Sequence, residues 1–207
     1  LQSLNKTNAQ LEVTQNRINT GMKVSSAKDN GAIFAIATSQ RAAAASQDAV
    51  RNGLQRTKSI NDVALAAGDT ITSALEEMKS LAVNIQSSVA TSAAETAYLA
   101  DFNALGTEIA NAISGASFDS VNALTTPLGV AAVTGLTGGS VGRAGATTTA
   151  VDAAITAVTS SLATIGTASK SLDRQITFVN KLQDALEAGV GNLVDADLAK
   201  ESARLTA

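Results

Sequence analysis

The sequence has no cysteine, no histidine and no tryptophan among its 207 residues, and these absences exclude several kinds of chemistry. Without cysteine there is no disulfide, no thiolate metal ligand and no sulfur nucleophile. Without histidine the chain lacks the commonest general base and a usual ligand of zinc and iron. Only carboxylate, lysine, serine and tyrosine chemistry remains, so we expect neither an enzyme nor a metal or cofactor site.

Basic surface and aromatic side chains are also scarce. The net charge is −3, the isoelectric point is about 4.9 and aromatic residues make up 2% of the chain. Nucleic acid binding requires cations for phosphates and rings on which bases stack, so we expect none. The longest uncharged run, 120–142, is rich in glycine and threonine and contains Pro127, so we predict no membrane span.

The two ends of the sequence bear on where the protein is located in or outside the cell and on whether the sequence is a fragment. We find no signal peptide, which is typical of a cytosolic protein or of one that leaves through a dedicated exporter. The sequence starts without methionine, and both ends lie in helical patterns. We therefore interpret it as a trimmed fragment.

Apolar residues at helical spacing dominate what is present. Leu4, Leu11 and Ile18 recur every seven residues and predict a helix whose narrow apolar face needs a partner. Gly21 is placed to end that helix. A second series advances by three or four residues between 60 and 89 and predicts one face of a long helix. Its central members are Ile71, Leu75 and Met78.

The clearest repeat lies near the end of the chain. Apolar residues fall every seven positions from Val151, which predicts a helix with a heptad seam. We expect Gly189 and Gly191 to end it. The pattern leaves open whether the seam is an internal core or a polymerisation surface. The seam residues after Val151 are Val158, Ile165, Leu172, Val179 and Leu186.

Between these helices the pattern changes twice. Ser92 with Glu95 three residues later forms a capping box and predicts the start of a helix. From 116 to 150 the only charges are Asp119 and Arg143, and six glycines interrupt the chain. The stretch "VAAVTGLTGGSVG" at 130–142 alternates weakly around a turn, so we predict a small β element or hairpin with loops. The fold class predicted is mainly α, an elongated bundle of long coiled-coil-like helices with a small β and loop region in the middle.

The remaining candidate for chemistry is the pair Asp195 and Asp197. Two carboxylates could act as acid and base or bind calcium, but at the start of a helix they usually cap it and oppose its dipole. We therefore interpret them as a helix start. The enzyme hypothesis would regain support if the chain showed a catalytic activity that is lost when Asp195 or Asp197 is mutated.

Motifs at both ends resemble one family. The stretches "LNKT" at 4–7 and "RINTGMKVSSAKDNGA" at 17–32 are similar to the N-terminal signature of bacterial flagellins. Asp195, Asp197, Ala199 and Glu201 in "LVDADLAKES" resemble the C-terminal turn of that family, although Lys200 alone separates Ala199 from Glu201. Motifs in the expected order at both ends are more specific than either alone.

The resemblance implies a structural subunit of the extracellular flagellar filament, exported without a cleaved signal peptide and assembled with copies of itself. It also implies an export apparatus, a chaperone and hook-associated proteins as partners. Because the terminal helices drive polymerisation in the family, we expect this piece to be soluble and unable to form filaments. The implied regions are an inner-tube helix end and connector at 1–32, N-terminal rod helices at 33–115, a short variable region at 116–150, a C-terminal rod helix at 151–191 packing on the N-terminal rods, and a turn with the start of an inner-tube helix at 192–207.

The family is also sensed by a Toll-like receptor through an Arg, a Leu and a Gln on the long rod. In the similar segment "LEEMKSLAVN" at 75–84, Leu81 matches, but Glu77 stands in place of the Arg and Asn84 in place of the Gln. A carboxylate repels acceptors that a guanidinium would bind. We therefore predict weak recognition by the receptor.

Two other functions share these helices. The chain could be a cell-surface adhesin or polysaccharide-binding relative that displays residues 116–150, with basic clusters at 51–58 and 170–181 as contacts. It could also be a hook–filament junction protein. Saturable polysaccharide binding would favour the first, and failure of the full-length protein to form filaments would favour the second.

Overall fold

The computed structural model describes residues 2–125 and 130–206, and long helices make up most of it. The predicted mainly helical fold with a small β element is confirmed. Pro127 lies outside the described residues. The elements are α1 (Gln2–Thr20), α2 (Gly31–Ser87), α3 (Ala93–Gly115), β1 (Ser117–Phe118), β2 (Val121–Asn122), α4 (Val130–Thr137), α5 (Thr148–Val194) and α6 (Leu198–Thr206).

The chain divides into two compact units, and each combines sequence from both halves. The terminal unit consists of residues 1–53 and 176–207, and the central unit consists of residues 54–175. The predicted division into inner-tube and outer-rod regions is a different partition, and it stays a prediction.

The core of the central unit is formed by the apolar faces of α2, α3 and α5. Phe102 of α3 is its largest fully buried side chain. Full burial of such a side chain contributes about 1.5–3 kcal/mol. The lysines Lys58 and Lys79 of α2 pair with Asp173 and Asp152 of α5, an order that makes the two helices antiparallel. Buried core residues include Ile71, Leu75, Met78, Ile85, Ile109, Val151, Val158 and Ile165.

Small residues let the helices of this unit approach closely. A methyl group on Gly68 of α2 would overlap the side chain of Leu162 on α5, and one on Gly106 of α3 would overlap the carbonyl oxygen of Leu136 on α4. Both glycines are buried inside continuous helices. The helical cost of glycine, about 1 kcal/mol relative to alanine, is therefore offset by contacts that alanine would obstruct.

The expectation that Gly189 and Gly191 end the last long helix is wrong. Helix α5 continues through both and ends at Val194. Val190 lies between the two glycines and Val194 ends the helix, and both are buried with Val24 and Ala37 in the core of the terminal unit. This packing outweighs the low helix propensity of the two glycines.

The capping box at the start of α3 is present, with one difference from the ideal arrangement. The hydroxyl of Ser92 accepts a hydrogen bond from the backbone N–H of Glu95 at 3.1 Å. The Glu95 carboxylate accepts from the N–H of Thr91 rather than from that of Ser92. Arg143 also donates to Glu95, at 3.2 Å, and so connects the loop before α5 to this turn.

The region 116–150 contains a small hairpin, but it lies at 117–122 and not in the stretch "VAAVTGLTGGSVG" at 130–142 whose alternation predicted one. Strands β1 and β2 pair antiparallel around Asp119 and Ser120, which have φ values of 51° and 63° as in a two-residue type I′ turn. Helix α4 follows, and its Val133 and Leu136 are buried in the central core. The prediction of a β element or hairpin with loops at 130–137 was wrong, because the run "VAAVTGLT" has glycine and β-branched residues that mask a helical pattern.

Helix α5 is the one helix among the described residues that is long and apolar enough to cross a membrane. Its most apolar window of 18 residues has a mean hydropathy of 1.2, and 28% of that window is buried inside the structure. The core helix of a soluble protein passes the same test, so this composition is weak evidence for a span.

The glycine contacts make a prediction in which one substitution has opposite effects at two sites. Gly106→Ala should lower the free energy of unfolding by about 1–3 kcal/mol, because the new methyl overlaps backbone that cannot move aside as a side-chain end can. Gly166→Ala on α5 meets nothing within 4 Å and should raise that free energy by up to about 1 kcal/mol. Urea unfolding followed by circular dichroism measures both; equal effects would contradict the packing described.

Candidate functional site

The terminal unit contains a joint, defined here as residues 21–30 together with 191–201, where the chain leaves α1 and where it turns from α5 into α6. Gly21 has φ of +70° and its N–H donates to the carbonyl of Arg17, as expected for a residue that ends a helix. Met22 and Asp195 then form an antiparallel bridge. The first turn after α1 is thus paired with the turn between α5 and α6.

Backbone hydrogen bonds fix this pairing. The N–H groups of Lys23 and Val24 donate to the carbonyl of Val194 at 2.7 and 3.3 Å, and the N–H of Ala196 donates to the carbonyl of Gly21 at 2.9 Å. Beneath them, Val24 is buried with Ala37, Val190 and Val194 in a small apolar cluster. Residues about 170 positions apart in sequence are therefore held by both backbone and side-chain contacts.

A serine–aspartate turn shapes the rest of the connector. One carboxylate oxygen of Asp29 accepts hydrogen bonds from the N–H and hydroxyl of Ser25 at 2.9 Å, and from the N–H and hydroxyl of Ser26 at 2.9 and 3.2 Å. Asn30 follows and caps α2 by accepting from the N–H of Ile33 at 3.1 Å. Two short polar side chains thus satisfy the free N–H groups ahead of the long helix.

The hydrogen bonds from Ser25, and then those from Ser26, hold the pKa of Asp29 below its ordinary value of 3.8. Because the folded pKa is depressed, the stabilisation is fully present above pH 3.8 and is lost as the pH falls through the lower folded value. The turn should therefore keep its structure throughout the neutral and mildly acidic range.

A buried carboxylate connects α1 to α6. Glu201 is 5% exposed, and its Oε1 accepts from Arg17 at 3.1 Å and from Arg204 at 3.3 Å. Its Oε2 is buried and has no hydrogen-bond partner among the described residues. A cleft of about 400 Å³ lies beside it, and its lining includes Arg17, Lys23, Asp29, Asp197, Lys200 and Arg204.

The two candidate acidic residues have separate roles. Asp197 caps α6, since its Oδ1 accepts from the N–H of Lys200 at 3.1 Å. Asp195 belongs instead to the bridge with Met22. In the described part of the chain no group of three or more acidic residues could hold a metal ion.

The predicted packing residues fall into two sets. On α1, Leu4 is 65% exposed and Leu11 is 41% exposed, while Ile18 is half-buried. Helix α1 packs on α6, where Thr14 and not a leucine is its buried residue. The other set is buried inside the chain except for Leu186, which is half-buried. This set consists of Ile71, Leu75, Met78, Val158, Ile165, Leu172, Val179 and Leu186.

This placement answers the question that the heptad pattern left open. Side chains inside the core cannot contact another copy, so the seam of α5 acts as internal packing. The exposed leucines of α1 are the predicted apolar residues that remain available to a partner. Leu4 and Leu11 are one heptad apart, as in a helix that packs on another helix.

The predicted receptor-facing residues lie on α2 at positions i, i+4 and i+7. Glu77 is exposed, and Leu81 and Asn84 are half-buried. Leu81 also packs against the central core. The three residues share one side of the helix, which is the geometry that a contact from one partner requires.

Sequence reasoning missed several residues of the joint. Arg17 and Glu201 were not identified as a pair, because nothing local relates residues so far apart in sequence. The Asp29 turn had a signal that could have been used, since an aspartate shortly after two serines often organises its own turn.

Comparisons with known proteins agree with this architecture. Residues 1–126 match the bacterial flagellin N-terminal helical region, and residues 148–207 match the bacterial flagellin C-terminal helical region. The chain is 45% identical to flagellin FljK, 48% to flagellin FljM and 47% to flagellin FljN of Caulobacter vibrioides. Each alignment covers 99% of this chain and 84% of the relative.

Proposed function

Because the chain belongs to the bacterial flagellin family, we propose that helix α1 and the joint behind it make the contacts through which its copies assemble. The chain is a structural subunit of the extracellular flagellar filament, which serves motility, and it is not an enzyme. It assembles with copies of itself. No observation favours the adhesin or the hook–filament junction protein over this function.

The exposed apolar face of α1 supports the assembly role. Most residues of helix α1 are polar. Its two leucines, Leu4 and Leu11, remain exposed in the single chain, so little of their apolar surface is buried there. Burying each against another copy removes apolar surface from water at about 25 cal/mol per Å². Helical filaments require such contacts between different surfaces of successive copies.

The joint supplies rigidity between α1 and the rest of the terminal unit. Arg17, Glu201 and the backbone bridge tie the end of α1 to the turn before α6. A rigid joint lets each copy present α1 at one angle, which a regular helical polymer requires. We assign residues 1–32 and 192–207 to the inner tube of the filament, 33–115 and 151–191 to its rods and 116–150 to its outer surface.

The finer partners follow from the same family membership. We propose that the chain is exported by the flagellar export apparatus without cleavage of a signal peptide, and that a chaperone and hook-associated proteins contact it. Surface polysaccharide stays a candidate ligand of residues 116–150.

The assembly role of α1 makes the first prediction. In a strain whose only flagellin is the full-length form of this protein, Leu4→Gln with Leu11→Gln should abolish or strongly shorten the filaments, since the apolar contact between copies is lost. Electron microscopy counts and measures filaments, and immunoblotting of the medium measures exported monomer.

The matched control is Val89→Gln, which changes a residue 78% exposed in the turn between α2 and α3. It should leave filaments and swimming unchanged. Normal filaments from the double leucine variant would rule out the α1 contact, and absence of filaments from the unmodified protein would count against the filament function itself.

The receptor residues make a second prediction. The natural chain should activate cells bearing the flagellin-sensing Toll-like receptor weakly, and Glu77→Arg with Asn84→Gln should raise that response, because a guanidinium restores a donor fork on the exposed side of α2. A reporter assay with purified monomer measures the half-maximal dose. A strong response to the natural chain would contradict the prediction, and Glu76→Arg serves as control.

A further inference from the structure

An acidic stripe runs along α2 on the side away from the core. It consists of Asp62, Asp69 and Glu76, which are spaced by seven residues and are all exposed. At 3.6 residues per turn, they lie roughly 120–180° around the helix from the buried residues Ala64 and Ile71. The stripe therefore faces outward from the core that α2 helps to form.

None of the three carboxylates forms an ion pair among the described residues. The hydrogen bond and charge of Asp173, and to a smaller extent the charge of Asp62, raise the pKa of Lys58, so Asp62 is the member of the stripe with a cation near it. The lysines nearest to them on α2 are already engaged, because Lys58 pairs with Asp173 and Lys79 pairs with Asp152. Like charges repeated along one helix repel one another. The stripe thus lacks the pattern of alternating signs that is usual on a solvated helix face.

Helix α5 carries the complementary pattern. Arg174 and Lys181 are one heptad apart, are exposed and form no ion pair with any residue that the structure describes. Phe178 lies between them in the sequence and is 65% exposed, in a chain with only five aromatic residues. We call these three residues the basic stripe. They lie roughly 120–180° around the helix from Leu172, which is buried.

The two stripes have the same repeat. One heptad of helix is about 10.5 Å long, so Arg174 and Lys181 can stand opposite two successive carboxylates of the acidic stripe. Ala66, between Asp62 and Asp69, is exposed and small, which leaves room for the ring of Phe178. Paired charges beside an apolar contact are how neighbouring helices select their partner and register.

We propose that the basic stripe of one copy binds the acidic stripe of a neighbouring copy in the filament. This inference rests on the filament function and names a contact that the function requires. The occupant is a second copy because each copy offers one stripe of each sign on two different helices. Contacts between unlike surfaces repeat without closing on themselves, which generates helical polymers.

The contact between the stripes would offset the electrostatic repulsion between copies and set their register. Each chain has a net charge of −3, so copies repel one another unless opposite charges are brought together locally. One exposed ion pair contributes little, but the same contact repeats at every subunit of a polymer. Complementary stripes also set register, because sliding the helices by half a heptad moves each cation away from the carboxylate opposite it.

Disulfide crosslinking tests the contact directly, since the sequence contains no cysteine of its own. Filaments of the full-length protein with Asp69→Cys and Lys181→Cys should give a ladder of dimers and higher oligomers on oxidation, seen by non-reducing electrophoresis. Each single variant should stay monomeric. The pair Asp101→Cys and Lys181→Cys, which uses an exposed aspartate of α3, is the matched control and should give no ladder.

Charge reversal provides a second measurement. Lys181→Glu should lower the mass of filament formed at a given protein concentration by about tenfold. Asp69→Lys in the same chain should restore it, whereas Asp101→Lys should not. Filaments that form normally but show neither ladder nor rescue would overturn the inference and leave the filament function intact, and an unmodified protein that forms no filaments would refute that function instead.

Discussion

The heptad seam of α5 is the constraint on which the central unit depends. Val151, Val158 and Ile165 bury one side of this helix against α2 and α3, and their spacing requires the helices to run nearly parallel or antiparallel over many turns. Small residues at the contacts, such as Gly68 beside Leu162, bring the helix axes close together. Because the seam is used inside the chain, its buried side chains are not available for contacts between copies.

In this flagellin, the interactions that hold each unit together differ from those that we propose between copies. Apolar burial and hydrogen bonds hold each unit together, while Leu4, Leu11 and the charges of the two stripes are exposed, and we propose these for contacts between copies. The Val24 cluster and the backbone bridge hold the joint together, and the joint positions α1 within the terminal unit.

Sequence reasoning was reliable wherever the signal was local and repeated. The apolar period from 60 to 89, the heptads from Val151 and the capping box at Ser92 predicted α2, α5 and α3, because each depends on residues within two turns of one another. It was unreliable where distant contacts outweigh local preference. Helix α5 passes Gly189 and Gly191 because Val190 and Val194 are buried, and α4 exists because Val133 and Leu136 reach the central core. The pairing of Arg17 with Glu201 is likewise a product of the fold, and no local pattern indicates it.

The most direct test of this account is the free energy of unfolding of the chain with Ile165→Ala, measured in urea beside Val83→Ala. Ile165 is 5% exposed in the seam and Val83 is 53% exposed on α2. If the seam is the internal core, Ile165→Ala lowers the free energy of unfolding by about 2–4 kcal/mol and Val83→Ala changes it by less than about 0.5 kcal/mol. Equal and small effects of the two substitutions would mean that the seam does not hold the chain together, and the account would be wrong.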